Sequence, residues 1–162
     1  MTDIYAFLEQ NDITYQRFDH EAVFTCEESS KLPDMPGADT KNLFLRDKKG
    51  KRHMIVSVGH EKKVDLKALG KQLDISQNIS FASPERLLKH LGVTPGAVTL
   101  LGVVNDPDHL VEVYIDKDLW EADALRVHPL VNTASLIIEH DNMERFFAAT
   151  GHKVNVIDVP GS

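Results

Sequence analysis

The sequence predicts a mixed α/β (α+β) fold, in which a mostly antiparallel mixed β-sheet is flanked by helices. Short apolar runs of strand length crowd the middle of the chain, and one pair of them is joined by a polar, glycine-containing turn. Amphipathic stretches with caps interrupt these runs irregularly, without the strict strand–helix alternation that builds a doubly wound parallel sheet.

Thr2 can cap a first helix whose Ile4, Phe7 and Leu8 share one face, with Asn11 and Asp12 ending it. Residues 15–20 read as a strand. Thr25 and Glu28 form a capping box for a short helix over residues 27–32, broken by the Pro33 to Gly37 turn. Residues 42–46 and 53–58 make the clearest hairpin, about Asp47, Lys48, Lys49 and Gly50. Helical spacing of Val64, Leu69 and Leu73 predicts a helix over 64–73, followed by a short strand at 79–82. Ser83 as N-cap and Pro84 at the first helical position open a helix that Gly92 closes. Residues 98–104 and 110–115, about a turn at 105–108, read as a second antiparallel pair. Residues 136–139 form another strand. A capping box of Asp141 and Glu144 starts a helix ending near Gly151, and residues 154–159 complete the sheet.

A chain of 162 residues is long enough for one hydrophobic core and is expected to form a single domain, residues 1–162. No apolar run approaches the ~18 residues of a membrane span, and Met1 to Ile4 lacks a basic, apolar leader, so a cytoplasmic protein with no membrane partner is expected. The single cysteine, Cys26, cannot close an internal disulfide and reads as a small packing or surface residue, with a reactive thiol as the alternative. No Cys or His pair has zinc-ligand spacing, so neither metal nor other cofactor is expected.

The net charge of −7 argues against indiscriminate nucleic-acid binding, and DNA is not an expected partner. The charge is uneven, however. From Lys41 to Lys71 there are ten basic residues against three acidic ones, a surplus of +7 that leaves −14 for the rest. That segment is either a face that attracts a polyanion or a solvated turn and helix face.

Three separated segments could carry chemistry. Lys41 stands where a strand begins, and its ammonium could donate to a phosphate, a ribose hydroxyl or an ester oxygen; edge protection is the alternative. His128 precedes Pro129, which biases it towards an extended backbone. Its ring could orient water or exchange a proton, or simply bond a neighbouring carbonyl at a bend. Gly96 and Gly102 bracket a run in which bare main chain could aim N–H donors at an ester oxyanion, though a turn before a strand explains the pair equally well. Ser57 is not in a nucleophile elbow and reads as a solvent-facing strand residue. Asp116, Asp118, Glu121 and Asp123 lack the pattern of a calcium loop and read as a solvated helix and linker.

In order and spacing, Thr40-Lys41-Asn42-Leu43-Phe44-Leu45, Gly96-Ala97-Val98-Thr99-Leu100-Leu101-Gly102 and Val127-His128-Pro129-Leu130-Val131-Asn132-Thr133 resemble the prolyl-tRNA editing domain family, also called YbaK-like or tRNA-edit domains. Segments such as Phe81-Ala82-Ser83-Pro84-Glu85 and Leu91-Gly92-Val93-Thr94-Pro95-Gly96 extend the likeness over nearly the whole chain and towards the freestanding branch that removes alanine from proline tRNA. Relatives have a Gly-x-x-x-Pro loop where this chain places Leu100. The resemblance implies a barrel-like sheet and an ester hydrolase acting in trans on the 3′ acceptor end of mischarged aminoacyl-tRNA, with prolyl-tRNA synthetase as a further partner. It implies catalytic roles for Lys41 and His128 and substrate contacts for Asn42, Gly96, Ala97, Val98, Thr99, Gly102, Asn132 and Thr133. A deacylase for cysteine or serine on tRNA, and a non-catalytic module for tRNA ends or a synthetase, are the alternatives.

Overall fold

The computed structural model describes residues 3–21, 37–75 and 79–161. Thr2, Cys26 and the helix expected over residues 27–32 lie outside them. Helix α1 (Ile4–Gln10) leads into β1 (Gln16–Asp19), the hairpin of β2 (Ala38–Arg46) and β3 (His53–Gly59), helix α2 (Leu66–Gln72) and the two-residue β4 (Ser80–Phe81). Helix α3 (Pro84–Leu91), two 3-10 turns (Pro95–Ala97 and Leu100–Asn105), β5 (Val111–Asp116) and the short α4 (Lys117–Trp120) follow. The chain ends with β6 (Ala124–Val127), β7 (Ala134–Glu139), α5 (His140–Thr150) and β8 (Val154–Ile157).

The eight strands form one mixed sheet in the order β1-β7-β6-β2-β3-β5-β8, with β4 beside the end of β2. Four pairings are antiparallel (β1 with β7, β6 with β7, β2 with β3, β2 with β4) and three are parallel (β2 with β6, β3 with β5, β5 with β8). Among the described residues the sheet is open, not the barrel implied by the family resemblance: there β1 pairs only with β7 and β8 only with β5. Its two halves meet at β2, whose first residues Ala38 and Asp39 pair with Leu125 and Arg126 before the strand continues against β3.

Successive β2 residues point to opposite faces. Phe44, with Ile55 across from it, enters a core roofed by α1, α3 and α5, where Leu91, Leu101, Met143 and Phe146 are buried. Leu45, with Met54, Val56 and Val58, enters a second core under Leu69 and Leu73 of α2. Coverage on both faces explains why β3 is buried from His53 to Val58 and reads as an almost unbroken apolar run.

Several local expectations are corrected. Residues 98–104 are not a strand. Thr99 caps the second 3-10 turn, its Oγ1 accepting from Leu101 N at 3.2 Å, and Leu100, Leu101, Gly102 and Val103 are all buried. An apolar run buried all round has no periodicity to distinguish it from a strand, so β5 finds parallel partners instead of an antiparallel one. The Asp141–Glu144 capping box does not form, because β7 runs straight into α5 with Glu139 as an N-cap that makes no side-chain bond. Asp3 caps α1, its Oδ1 accepting from Tyr5 N and Ala6 N at 3.1 and 3.2 Å. Asp116 is buried, not solvated: Oδ1 accepts from Val159 N at 3.0 Å and Oδ2 from the Lys62 ammonium at 2.9 Å. Ser57 is buried too. Among the described residues no helix is long and apolar enough to cross a membrane.

Gly102 lets the second 3-10 turn lie directly on α3, since a Cβ there would sit 3.0 Å from Leu91 Cβ. Gly102→Ala is expected to destabilise the protein by about 1–3 kcal/mol in urea unfolding, as overpacking between two buried elements does. Unchanged stability would mean that α3 shifts at no cost.

Candidate active site

The junction of the two half-sheets gathers polar groups from four places: the start of β2, the loop before the second 3-10 turn, the loop between β6 and β7, and the end of β1. Asn42 shares the face of Phe44 and donates from Nδ2 to Val98 O at 3.3 Å and Thr40 Oγ1 at 3.5 Å. Thr40 Oγ1 in turn donates to Arg126 O at 2.8 Å. Thr99, fully buried, donates from Oγ1 to His128 O at 2.7 Å. One run of hydrogen bonds thus ties β2 to the 98–99 main chain, and another ties that loop to the backbone of His128.

The His128 ring is fixed at Nδ1, which lies 3.3 Å from Ala134 O. A carbonyl only accepts, so Nδ1 carries the hydrogen and Nε2 of the neutral ring keeps its lone pair. Burial lowers the His128 pKa below the ordinary imidazole value, and the neighbouring His20 pushes the same way. The bond to Ala134 O and the charge of Asp39 oppose that shift without cancelling it. The ring is therefore neutral at neutral pH. His20 sits beside it, with Nε2 at 2.8 Å from Ser135 Oγ and its main-chain N donating to Thr133 O at 2.9 Å.

Two buried polar atoms near this network have no hydrogen-bond partner among the described residues: Asn42 Oδ1 and Ser57 Oγ. They occupy the same register position, Asn42 opposite Ser57, and so share a face of the hairpin. An orphaned buried acceptor or hydroxyl costs about 1–3 kcal/mol, and such groups persist where something other than stability uses them.

Lys41 lies one residue from Asn42 and therefore on the opposite face, that of Leu43 and Leu45. Its ammonium donates to Lys62 O. Lys62 lines a cleft of about 370 Å³ together with Asp39, Gly59, His60, Glu61, Asp116 and Asp118, and its ammonium is paired with the Asp116 carboxylate. The structure thus joins Asn42, Val98, Thr99 and His128 in one network and sets Lys41 on the other side of β2. Gly96 and Ala97 lie in the first 3-10 turn, with Ala97 N donating to Thr94 O at 2.9 Å. Gly102 is buried against α3 and its N donates to Thr99 O at 3.1 Å. Asn132 and Thr133 belong to the loop after His128, whose Leu130 has a left-handed φ of 66°. Sequence reasoning did not single out His20, Asp39 or Ser135, which stand in no motif. It set Ser57 aside as solvent-facing, although its alternation with Ile55 places it inside.

A larger groove of about 1310 Å³ opens on the β1-β7-β6 half of the sheet. Glu121, Asp123, Glu139 and Asp141 line it, which makes it unfavourable to a polyanion. Among the described residues no group of three or more His, Cys, Asp or Glu could hold a metal ion.

This architecture recurs in solved structures. The crystal structure of a candidate trans-editing enzyme for prolyl tRNA synthetase matches with a TM-score of 0.72 at 20% identity, covering 99% of this chain and 96% of that one. The chain belongs to the aminoacyl-tRNA editing domain family, whose model matches residues 20–146. Among curated relatives, the prolyl-tRNA editing protein ProX of Acetoanaerobium sticklandii is 38% identical over 158 residues, 96% of this chain and 95% of the relative. The prolyl-tRNA synthetase associated domain-containing protein 1 of Mus musculus is 37% identical over 138 residues, 83% of this chain and 81% of that protein. The protein is accordingly an aminoacyl-tRNA deacylase.

Proposed function

We propose that the protein hydrolyses alanine from mischarged proline tRNA. A synthetase pocket built for proline excludes the smaller alanine poorly, because missing methylenes are worth only about 1–3 kcal/mol of discrimination. A second site that admits alanine and rejects the pyrrolidine ring supplies the remaining fidelity. The observation that carries this reading is the placement of the His128 imidazole, held at Nδ1 by Ala134 O and through its backbone by Thr99, whose neighbour Val98 is bound by Asn42.

In this reading the ester lies on the His128 side of β2. His128 Nε2 takes a proton from the attacking water as the water's oxygen bonds to the ester carbonyl carbon. The main chain of Gly96, Val98 and Thr99 faces the carbonyl oxygen as it becomes an oxyanion, where each donor is worth about 3 kcal/mol in acyl transfer. The bond to the ribose oxygen then breaks as the His128 imidazolium returns that proton to it, and the amino acid leaves. Asn42, which is only partly buried, contacts the ribose, while Ser57 is fully enclosed and makes no substrate contact. Lys41, reached from the neighbouring cleft, holds the phosphate of the terminal adenosine as a point charge. Asn132 and Thr133 shape the amino-acid pocket.

Incubation with alanine-charged and proline-charged proline tRNA tests this directly. The alanine ester is expected to be lost at least about tenfold faster. Equal inertness of a folded sample towards both would remove the proposal, and faster loss of cysteine or serine esters would reassign the pocket.

A further inference from the structure

The lysine-rich segment forms a surface, and that surface has a direction. The β2-β3 turn carries Lys48, Lys49 and Lys51, and α2 carries Lys67 and Lys71 one helical turn apart, all exposed. Lys63 is exposed at the opposite end of β3. None of these six ammonium groups pairs with a carboxylate among the described residues.

Of the nearby carboxylates, Glu61 and Asp74 are exposed, whereas Asp47 and Asp65 are committed to the backbone. Asp47 Oδ1 accepts from Lys51 N and Arg52 N at 2.8 and 3.0 Å, and Asp65 caps α2 through Ala68 N at 3.1 Å. The framework under the lysines is fixed at both ends. Arg52 grips Glu112 through two bonds of 2.9 and 2.6 Å and donates to Leu73 O at 2.8 Å, which pins the turn to the end of α2. Asp65 N donates to Pro160 O at 2.9 Å, which pins the start of α2 to the last residues described.

The lysines therefore make a stripe as long as β3, about 20 Å at ~3.3 Å per residue. One end is the hairpin turn. The other is Lys62 and Lys63, beside the cleft towards which Lys41 reaches. About 20 Å of duplex axis carries roughly twelve phosphates, so the stripe matches a helical stem better than a single anionic group. The acidic groove on the other half of the sheet repels the same polyanion, which favours the lysine-bearing face.

We infer that this stripe binds the sugar-phosphate backbone of the tRNA acceptor stem, leading the phosphate of the terminal adenosine to Lys41, from which the ester passes to the His128 side of β2. The inference rests on the deacylase reading above for the identity of the RNA, and its test separates the two. A triple variant, Lys49→Ala, Lys67→Ala and Lys71→Ala, is compared with an equal charge change elsewhere, Lys89→Ala, Lys117→Ala and Lys153→Ala, all exposed. Binding of uncharged proline tRNA is measured against salt, and hydrolysis is followed on alanine-charged tRNA and on alanyl-adenosine, which is too small to reach the stripe.

The stripe variant is expected to bind tRNA at least about tenfold more weakly, with the slope of log K against log salt reduced by about two to three. Its KM for charged tRNA should rise in step, while alanyl-adenosine turnover and the control variant stay as wild type. Unchanged affinity and slope in the stripe variant, equal losses in the control, or an equal fall on alanyl-adenosine would each overturn the inference. Stripe-dependent tRNA binding by a wild-type protein that spares both esters would uphold the surface and overturn the deacylase reading instead.

Discussion

His128→Ala is expected to lower kcat on alanine-charged proline tRNA by roughly 10²-fold or more with KM little changed, and Lys41→Ala to raise KM by roughly 10–100-fold with kcat little changed. The split follows from strand alternation. Asn42 joins the network that reaches His128, so Lys41, one residue earlier on β2, projects to the other face and towards Lys62 O. An imidazole that meets the reacting water acts on the chemical step, whereas an ammonium on a phosphate acts on binding; initial-rate kinetics separate the two. A fall in kcat for Lys41→Ala at constant KM would instead place the ammonium at the ester. The fold should survive both changes, since Lys41 gives up one contact to a carbonyl and His128 one bond to Ala134 O. Because burial holds the His128 pKa below the usual range, wild-type activity should persist as pH falls through 6.5 and decline only below it, when Nε2 takes a proton.

How this site could be read from the sequence differs from segment to segment. The hairpin and α3 were legible because their signals are local: two apolar runs separated by the polar turn Asp47 to Gly50, and Ser83-Pro84 at one helix end with Gly92 at the other. Thr99 and its neighbours were not, since Val98 to Val104 is apolar but for Thr99 and its 3-10 turn depends on the Thr99 cap and on the fit of Gly102 against Leu91. The parallel contacts of β2 with β6, and of β5 with β3 and β8, link residues far apart in sequence and leave no local mark. The same holds for the site. Lys41, the 96–99 loop and His128 stand out as motifs, but which of them share a face depends on which side of β2 meets which core. His20, Asp39 and Ser135 surround His128 only because β1, β2 and β7 converge there.

Stability is expected to fall by about 3 kcal/mol as pH is lowered from 7.5 to 4, with His53 as the main cause. His53 is 5% exposed, stacks on Phe44 at 5.8 Å and lies 4.3 Å, ring to ring, from His90. Arg86 Nη1 lies 2.9 Å from its Nε2 and can only donate, so the folded state holds that nitrogen unprotonated. Burial comes first in lowering its pKa to about 4; His90, Arg86 and Arg46 push the same way and Asp47 opposes them. His90 is lowered as well, by burial first and then by Lys89 and Arg86, against Asp106. In the unfolded chain both rings take a proton near 6.5, so between 6.5 and about 4 the unfolded state binds more protons than the folded one. The stabilisation is complete above that window and is lost as pH falls through it. Carboxylates with lowered pKa, Asp47 and Glu112, add to the loss from around their ordinary values of 3.8 and 4.5 downwards. His53→Gln keeps an acceptor for Arg86 but does not titrate, so its urea-unfolding free energy should be flatter over the same window, whatever its value at pH 7.5. An equally steep fall in that variant would move the acid sensitivity away from the His53–His90 pair.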